Sequence, residues 1–122
     1  MKIECVEGFD IGPEKFSRWL TVGKVYHVLA IERRADGGTW FRVVTGEGDA
    51  KPENVALFRS ENFRLLSGLR PSTWTDIELN GMFESSPVPW QAEGFWEAFY
   101  DGDDDAFSLF EREREAIVAE ES

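Results

Sequence analysis

The chain has 122 residues, of which 42% are hydrophobic, with ten Phe and five Trp among them, and its formal net charge is −11. That length and apolar content fit one domain with a real core and exclude the composition of a disordered chain. The charge argues against direct binding to nucleic acid or anionic lipid, both polyanions, and favours a basic protein partner or simply solubility.

The first residues, Met1-Lys2-Ile3-Glu4-Cys5-Val6-Glu7, have no apolar stretch of the kind a signal peptide needs. No apolar run approaches the roughly 18–20 residues that span a bilayer. A single cysteine, Cys5, rules out an internal disulfide and fits a reducing cytoplasm.

Short strands are expected at residues 3–6, 25–33, 39–44, 55–58 and 63–66. The strongest local signal is Ala35-Asp36-Gly37-Gly38 between the apolar runs 25–33 and 39–44, because Asp-Gly between two such runs marks a hairpin. Residues 9–22 contain Gly12-Pro13 and no clean period, which reads as a long loop with a helical turn near 14–19. Residues 45–53, rich in Gly, Asp and Pro, read as a second loop.

Five short strands, a long first loop and a tight central hairpin suggest a small SH3-like barrel over residues 1–67. Leu20-Thr21-Val22-Gly23-Lys24-Val25-Tyr26-His27-Val28 resembles the lead-in to the second strand of many small bacterial and phage SH3-like proteins. Asn62-Phe63-Arg64-Leu65-Leu66 resembles their closing strand. The resemblance covers about half the chain and implies a fold, with no particular activity.

Residues 69–89 contain Pro71, Gly81, Pro87 and Pro89 and read as an irregular connection, with alternation over 74–79 adding one strand. From Trp90 the period becomes helical. Phe95, Trp96, Phe99 and Tyr100 gather on one side of a wheel, while Glu93, Glu97, Asp101 and Asp104 gather on the other. Gly102 should end this helix, and Asp103, Asp104 and Asp105 should start a second, where acids suit the positive end of the helix dipole. Phe107, Phe110, Ile117 and Val118 form the second helix's apolar stripe. The expected fold is therefore α+β: an SH3-like antiparallel barrel with one or two amphipathic C-terminal helices, residues 68–122 packing on 1–67 as a single globular unit.

The thirty C-terminal residues carry eleven acids against Arg112 and Arg114, a net charge of −9, whereas the other ninety-two residues carry −2. Asp101-Gly102-Asp103-Asp104-Asp105 begins like a calcium loop. It then fails, because Ala106 stands where the loop needs Gly and Arg112 where it needs Glu. A helix break and N-cap account for the cluster, and no metal or other cofactor is expected.

Catalytic chemistry finds little support. The single histidine, His27, falls in a strand beside Val25, Leu29 and Ile31, as a packed residue would. One Cys and one His cannot make a zinc set. Arg33, Arg34 and Arg42 lie near Trp40 and Phe41, but Glu32, Asp36 and Glu47 interleave with them, so a mixed solvated face is expected.

The expectation is a non-enzymatic cytoplasmic binding protein, similar in size and charge to small bacterial immunity proteins. It would act as an antitoxin-like inhibitor that blocks the cationic active site of a nuclease-type toxin. Its partner-binding residues would be Glu93, Trp96, Glu97, Asp101, Asp103, Asp104 and Asp105. Two alternatives share parts of this reading. A phage-encoded nucleic-acid mimic, of anti-restriction or anti-CRISPR type, would use the same acids. An SH3-like peptide-interaction module would instead expose aromatics on the barrel, around Tyr26, Trp40 and the 9–22 loop.

Overall fold

A computed structural model describes residues 1–6, 20–45 and 51–121. It is α+β, with two antiparallel sheets and a helical C-terminus. The strands are β1 (Lys2–Cys5), β2 (Val25–His27), β3 (Ala30–Arg33), β4 (Thr39–Val44), β5 (Val55–Arg59), β6 (Phe63–Ser67), β7 (Trp74–Leu79) and β8 (Met82–Pro87). The helices are α1 (Phe95–Tyr100) and α2 (Asp104–Glu121), and short 3-10 turns precede β5, β6 and α1. One sheet has the order β2-β1-β6 and the other β5-β4-β3-β8-β7; among the described residues both are open.

Two differences from the sequence reading shape the sheets. First, residues 25–33 do not form one continuous strand. Val28 and Leu29 are both buried, which strict alternation does not allow, and the chain bends there. Val28 N–H donates to the Met1 carbonyl at 3.0 Å in one sheet, and Leu29 N–H donates to the Arg42 carbonyl at 2.9 Å in the other. The strand thus passes from sheet to sheet at this point.

Second, residues 69–89 are not a loose connection, for they contain the β7–β8 hairpin. β8 lies between β3 and β7, pairing Glu84 with Glu32 on one side and with Ile77 on the other. The turn is Asn80-Gly81, with φ of 54° and 81°. Positive φ at both central residues is the type I′ geometry whose twist matches flanking strands. The β8 sequence Met-Phe-Glu-Ser-Ser-Pro lacks β-branched residues, so its composition conceals it. Its buried serine hydroxyls are satisfied locally: Ser85 Oγ donates to Asp76 Oδ1 and Ser86 Oγ to Glu84 Oε2, each at 2.6 Å.

The Asp-Gly hairpin forms as expected. Gly37 takes a φ of 94°, and Gly38 N–H donates to Asp36 Oδ1 at 2.9 Å. The helical turn expected near 14–19, most of the 9–22 loop and residues 46–50 lie outside the described residues.

The core is continuous across sheets and helices. Ile3, Cys5, Tyr26, Val28, Leu29, Ile31 and Val43 join Trp90, Phe95, Phe99, Phe110 and Ile117 in one buried cluster. Residues 68–122 are therefore structural partners of 1–67. No helix among the described residues is long and apolar enough to cross a membrane.

Candidate functional site

The C-terminal helices are held by aromatics. Phe110 stacks on Trp90, with ring centroids 5.0 Å apart, and meets Phe99 at 4.6 Å. Trp96 sits edge-on to Phe95, Trp90 and Phe99 at 5.0–5.7 Å. Such pairs add about 0.5–1.5 kcal/mol each beyond the area they bury. The wheel predicted this side correctly for Phe95, Phe99, Phe110 and Ile117, all buried. Phe107 and Tyr100, at 36% and 44% exposure, lie at its margins.

A polar clamp fixes α1 to the sheet. Arg42, expected on a solvated face, is only 7% exposed. Its guanidinium lies 3.7 Å from the centre of the Trp96 ring, and its Nη1 donates to the Tyr100 hydroxyl at 3.0 Å. That hydroxyl in turn donates to the Val55 carbonyl at 2.7 Å. Burial lowers the Arg42 pKa, while Tyr100, Glu32 and Glu84 act to raise it; burial raises that of Tyr100 against the pull of Arg42. This clamp was not foreseen. Its sequence signal is slight: Arg42 alternates with Phe41 and Val43 and looks like any outward-facing position of a hairpin.

The α1–α2 corner places the candidate acids. Gly102 has a φ of 87°; its N–H donates to the Phe99 carbonyl at 3.1 Å, and Asp103 N–H donates to the Ala98 carbonyl at 3.0 Å. This paired pattern is the Schellman motif that ends many helices. Asp103 then caps α2, its Oδ1 accepting from Ala106 N–H at 2.9 Å. Among the described residues no cluster of three or more His, Cys, Asp or Glu side chains could hold a metal ion.

Glu93, Glu97, Asp101, Asp103, Asp104 and Asp105 are all exposed, and none makes an ion pair among the described residues. Several acids elsewhere are matched: Glu4 with Arg64, Glu61 with Arg59, Asp76 with Arg70, and Glu121 with the Met1 ammonium. Glu97, Asp101, Asp103, Asp104 and Asp105 thus form an anionic patch at the corner, while Glu93 lies before the start of α1. Trp96 belongs to a different environment from these acids. It is half-buried in the aromatic cluster over Arg42, which leaves only part of the ring for a partner.

The other groups weighed for chemistry are separated. In the β1–β2 ladder Lys2 faces His27 and Ile3 faces Tyr26, so Cys5, two residues from Ile3, lies on the opposite face from His27. Burial pushes the Cys5 thiol up to about 11, with Glu4 adding to the effect, which keeps it protonated and unreactive. His27, half-buried at a strand end, has its pKa lowered by burial and then by Lys2 and the N-terminal ammonium.

Comparison with protein-family models, with curated proteins and with solved structures gave no match.

Proposed function

We propose that this protein is a non-enzymatic acidic inhibitor, immunity-protein or antitoxin-like, that occupies the cationic active site of a nuclease-type toxin in the cytoplasm. The observation that carries the reading is the unneutralised carboxylate array at the α1–α2 corner, fixed on helices that share the core of the sheets. A rigid array can stand in for successive phosphates of a nucleic acid. Opposite charge also speeds encounter, which an inhibitor of a lethal enzyme requires.

The SH3-like reading of residues 1–67 belongs to the same proposal. It is supported by the strand that bends between sheets at Val28–Leu29, the central Asp-Gly hairpin and the 3-10 turn before β6. In this view β7 and β8 extend one side of an opened barrel. Of the aromatics that a peptide-interaction role would expose, Tyr26 is 3% exposed and its hydroxyl accepts from Thr21 N–H at 3.0 Å, which counts against its part in such a role.

The test is affinity capture at low and high salt, with identification of the partner and an assay of its nuclease activity. A variant carrying Glu97→Lys, Asp101→Lys and Asp105→Lys leaves the Asp103 cap intact. It should associate more slowly, relieve inhibition and lose the salt dependence of the wild type. Unchanged association and inhibition by this folded variant would refute the acidic-corner reading. A phage-encoded nucleic-acid mimic would give the same salt dependence but a host restriction or CRISPR enzyme as the captured partner.

A further inference from the structure

A cleft of about 250 Å³ lies between the β7–β8 hairpin and the start of α1. Ile77, Met82, Trp90 and Trp96 supply its apolar and aromatic lining, and Glu84 and Glu93 supply carboxylates. Apolar walls leading to acids suit a ligand that is part hydrocarbon and part cation.

Glu84 carries the argument further. β8 sets it directly opposite Glu32 on β3, and like charges facing each other across a ladder destabilise it. Glu32 has Arg34 at 3.4 Å, whereas Glu84 accepts only from the Ser86 hydroxyl and has no ion pair among the described residues. Among the described residues the buried cation of this face is Arg42, which attracts Glu32 and Glu84 at longer range but gives its hydrogen bond to Tyr100 and its planar face to Trp96. Glu93, which also lines the cleft, is exposed and likewise has no ion pair among the described residues. A sequence that sets a carboxylate against another carboxylate at the rim of an aromatic cleft violates a local rule, and such violations concentrate where a ligand compensates them.

An anionic or neutral acceptor ligand fits less well. The indole N–H groups of Trp90 and Trp96 are buried and unpartnered, but solvent cannot touch them, so they offer the cleft no donor. We infer that the cleft receives one arginine side chain of the basic partner, its methylenes along Ile77 and Met82 and its guanidinium between Glu84 and Glu93. This inference rests on the partner reading above. Arginine is favoured over lysine because a planar guanidinium can lie against an indole and bond a carboxylate at two points.

The test uses N-acetyl-arginine amide as probe and N-acetyl-citrulline amide as its uncharged isostere, followed by the indole N–H resonances of the tryptophans. The arginine compound should shift the Trp90 and Trp96 signals saturably, with a Kd on the order of millimolar, as befits a single small fragment. Citrulline should leave them unmoved. Glu84→Gln with Glu93→Gln should weaken arginine binding roughly tenfold, about the worth of one charge-assisted bond. The same variant should remain folded, since the Glu32–Glu84 repulsion it removes offsets the lost attraction between Glu84 and Arg42; Glu93→Gln alone, at an exposed turn, provides a second variant of intact fold. Equal binding of citrulline, or no shift with the arginine probe, overturns the inference. The corner variant Glu97→Lys, Asp101→Lys, Asp105→Lys should still bind the probe. If that variant loses the partner while Glu84→Gln with Glu93→Gln keeps full affinity for it, the cleft inference fails and the acidic-corner reading stands.

Discussion

The Tyr100 hydroxyl joins three elements through two hydrogen bonds, which makes Tyr100→Phe a sharp test of how α1 is held. The substitution keeps the ring and its place beside Phe99 and Trp96 but removes one donor and one acceptor. Loss of the bond to the Val55 carbonyl should cost about 1 kcal/mol. Loss of the acceptor for Arg42 should cost about 2 kcal/mol, the range for a bond to a charged group, because the buried guanidinium then keeps the Trp96 ring and the longer-range pull of Glu32 and Glu84 but no hydrogen bond to Tyr100. The sum is about 3 kcal/mol. For a chain of 122 residues the unfolding entropy is about 0.26 kcal/mol/K, so the melting temperature should fall by about 12 °C. Urea titration followed by circular dichroism gives the free energy directly. The Arg42→Met background separates the two parts: there Tyr100→Phe should cost only the Val55 bond, a coupling of about 2 kcal/mol. Destabilisation below about 0.5 kcal/mol, or additivity of the two changes, would refute the clamp as a stabilising unit.

Three further predictions address local geometry and pH. Gly102→Ala forces a side chain into a left-handed backbone and should destabilise by about 1 kcal/mol, measured by urea titration; no loss would mean that the Schellman turn relaxes. Asp103→Ala should cost about 1 kcal/mol through the lost N-cap, whereas Ser108→Ala, one turn further on, should be nearly silent, and equal effects would remove the capping assignment. Because the folded pKa of His27 lies below its ordinary value of 6.5, the unfolded chain binds the proton more readily. Stability from this residue is fully present above about pH 6.5 and is lost as pH falls below it. Asp76 and Glu121, whose pKa values are lowered by hydrogen bonds from Ser85 and from the N-terminal ammonium respectively, should add a second loss below about pH 4.5. Melting temperatures from pH 8 to 3 should show both steps, and His27→Gln should flatten only the upper one.

The helical half of the fold was legible because its signals were local. A 3.6-residue period placed Phe95, Phe99, Phe110 and Ile117, and one glycine between aspartates marked both the end of α1 and the start of α2. The β3–β4 hairpin declared itself in the same way through Asp-Gly. The β7–β8 hairpin had an equally direct signal in Asn80-Gly81, but the serines and prolines around it masked the strand that follows. The break at Val28–Leu29 was hidden for another reason. It depends on which sheet each residue joins, and a run of apolar residues carries no mark of that choice. For the site, exposure of Glu93, Glu97, Asp101 and Asp104 followed from the wheel, and Asp103 and Asp105 were read from the start of the second helix. The burial of Arg42 did not, since only the arrival of α1 over the sheet turns an ordinary hairpin arginine into an anchor.

The position of β8 also dictates an order of assembly. Its ladder with β3 joins Ile31 to Ser85, and β1 must find β6 across a similar stretch of chain. Contacts this distant in sequence slow folding, because the intervening chain must be ordered before they form. During synthesis β3 and β4 can make their hairpin early, yet β3 keeps a bare inner edge until residues beyond 80 have left the ribosome. From the emergence of β4 until that of β8 the nascent chain therefore carries an open strand bordered by Ile31, Phe41 and Val43, the surface on which unfinished sheets aggregate.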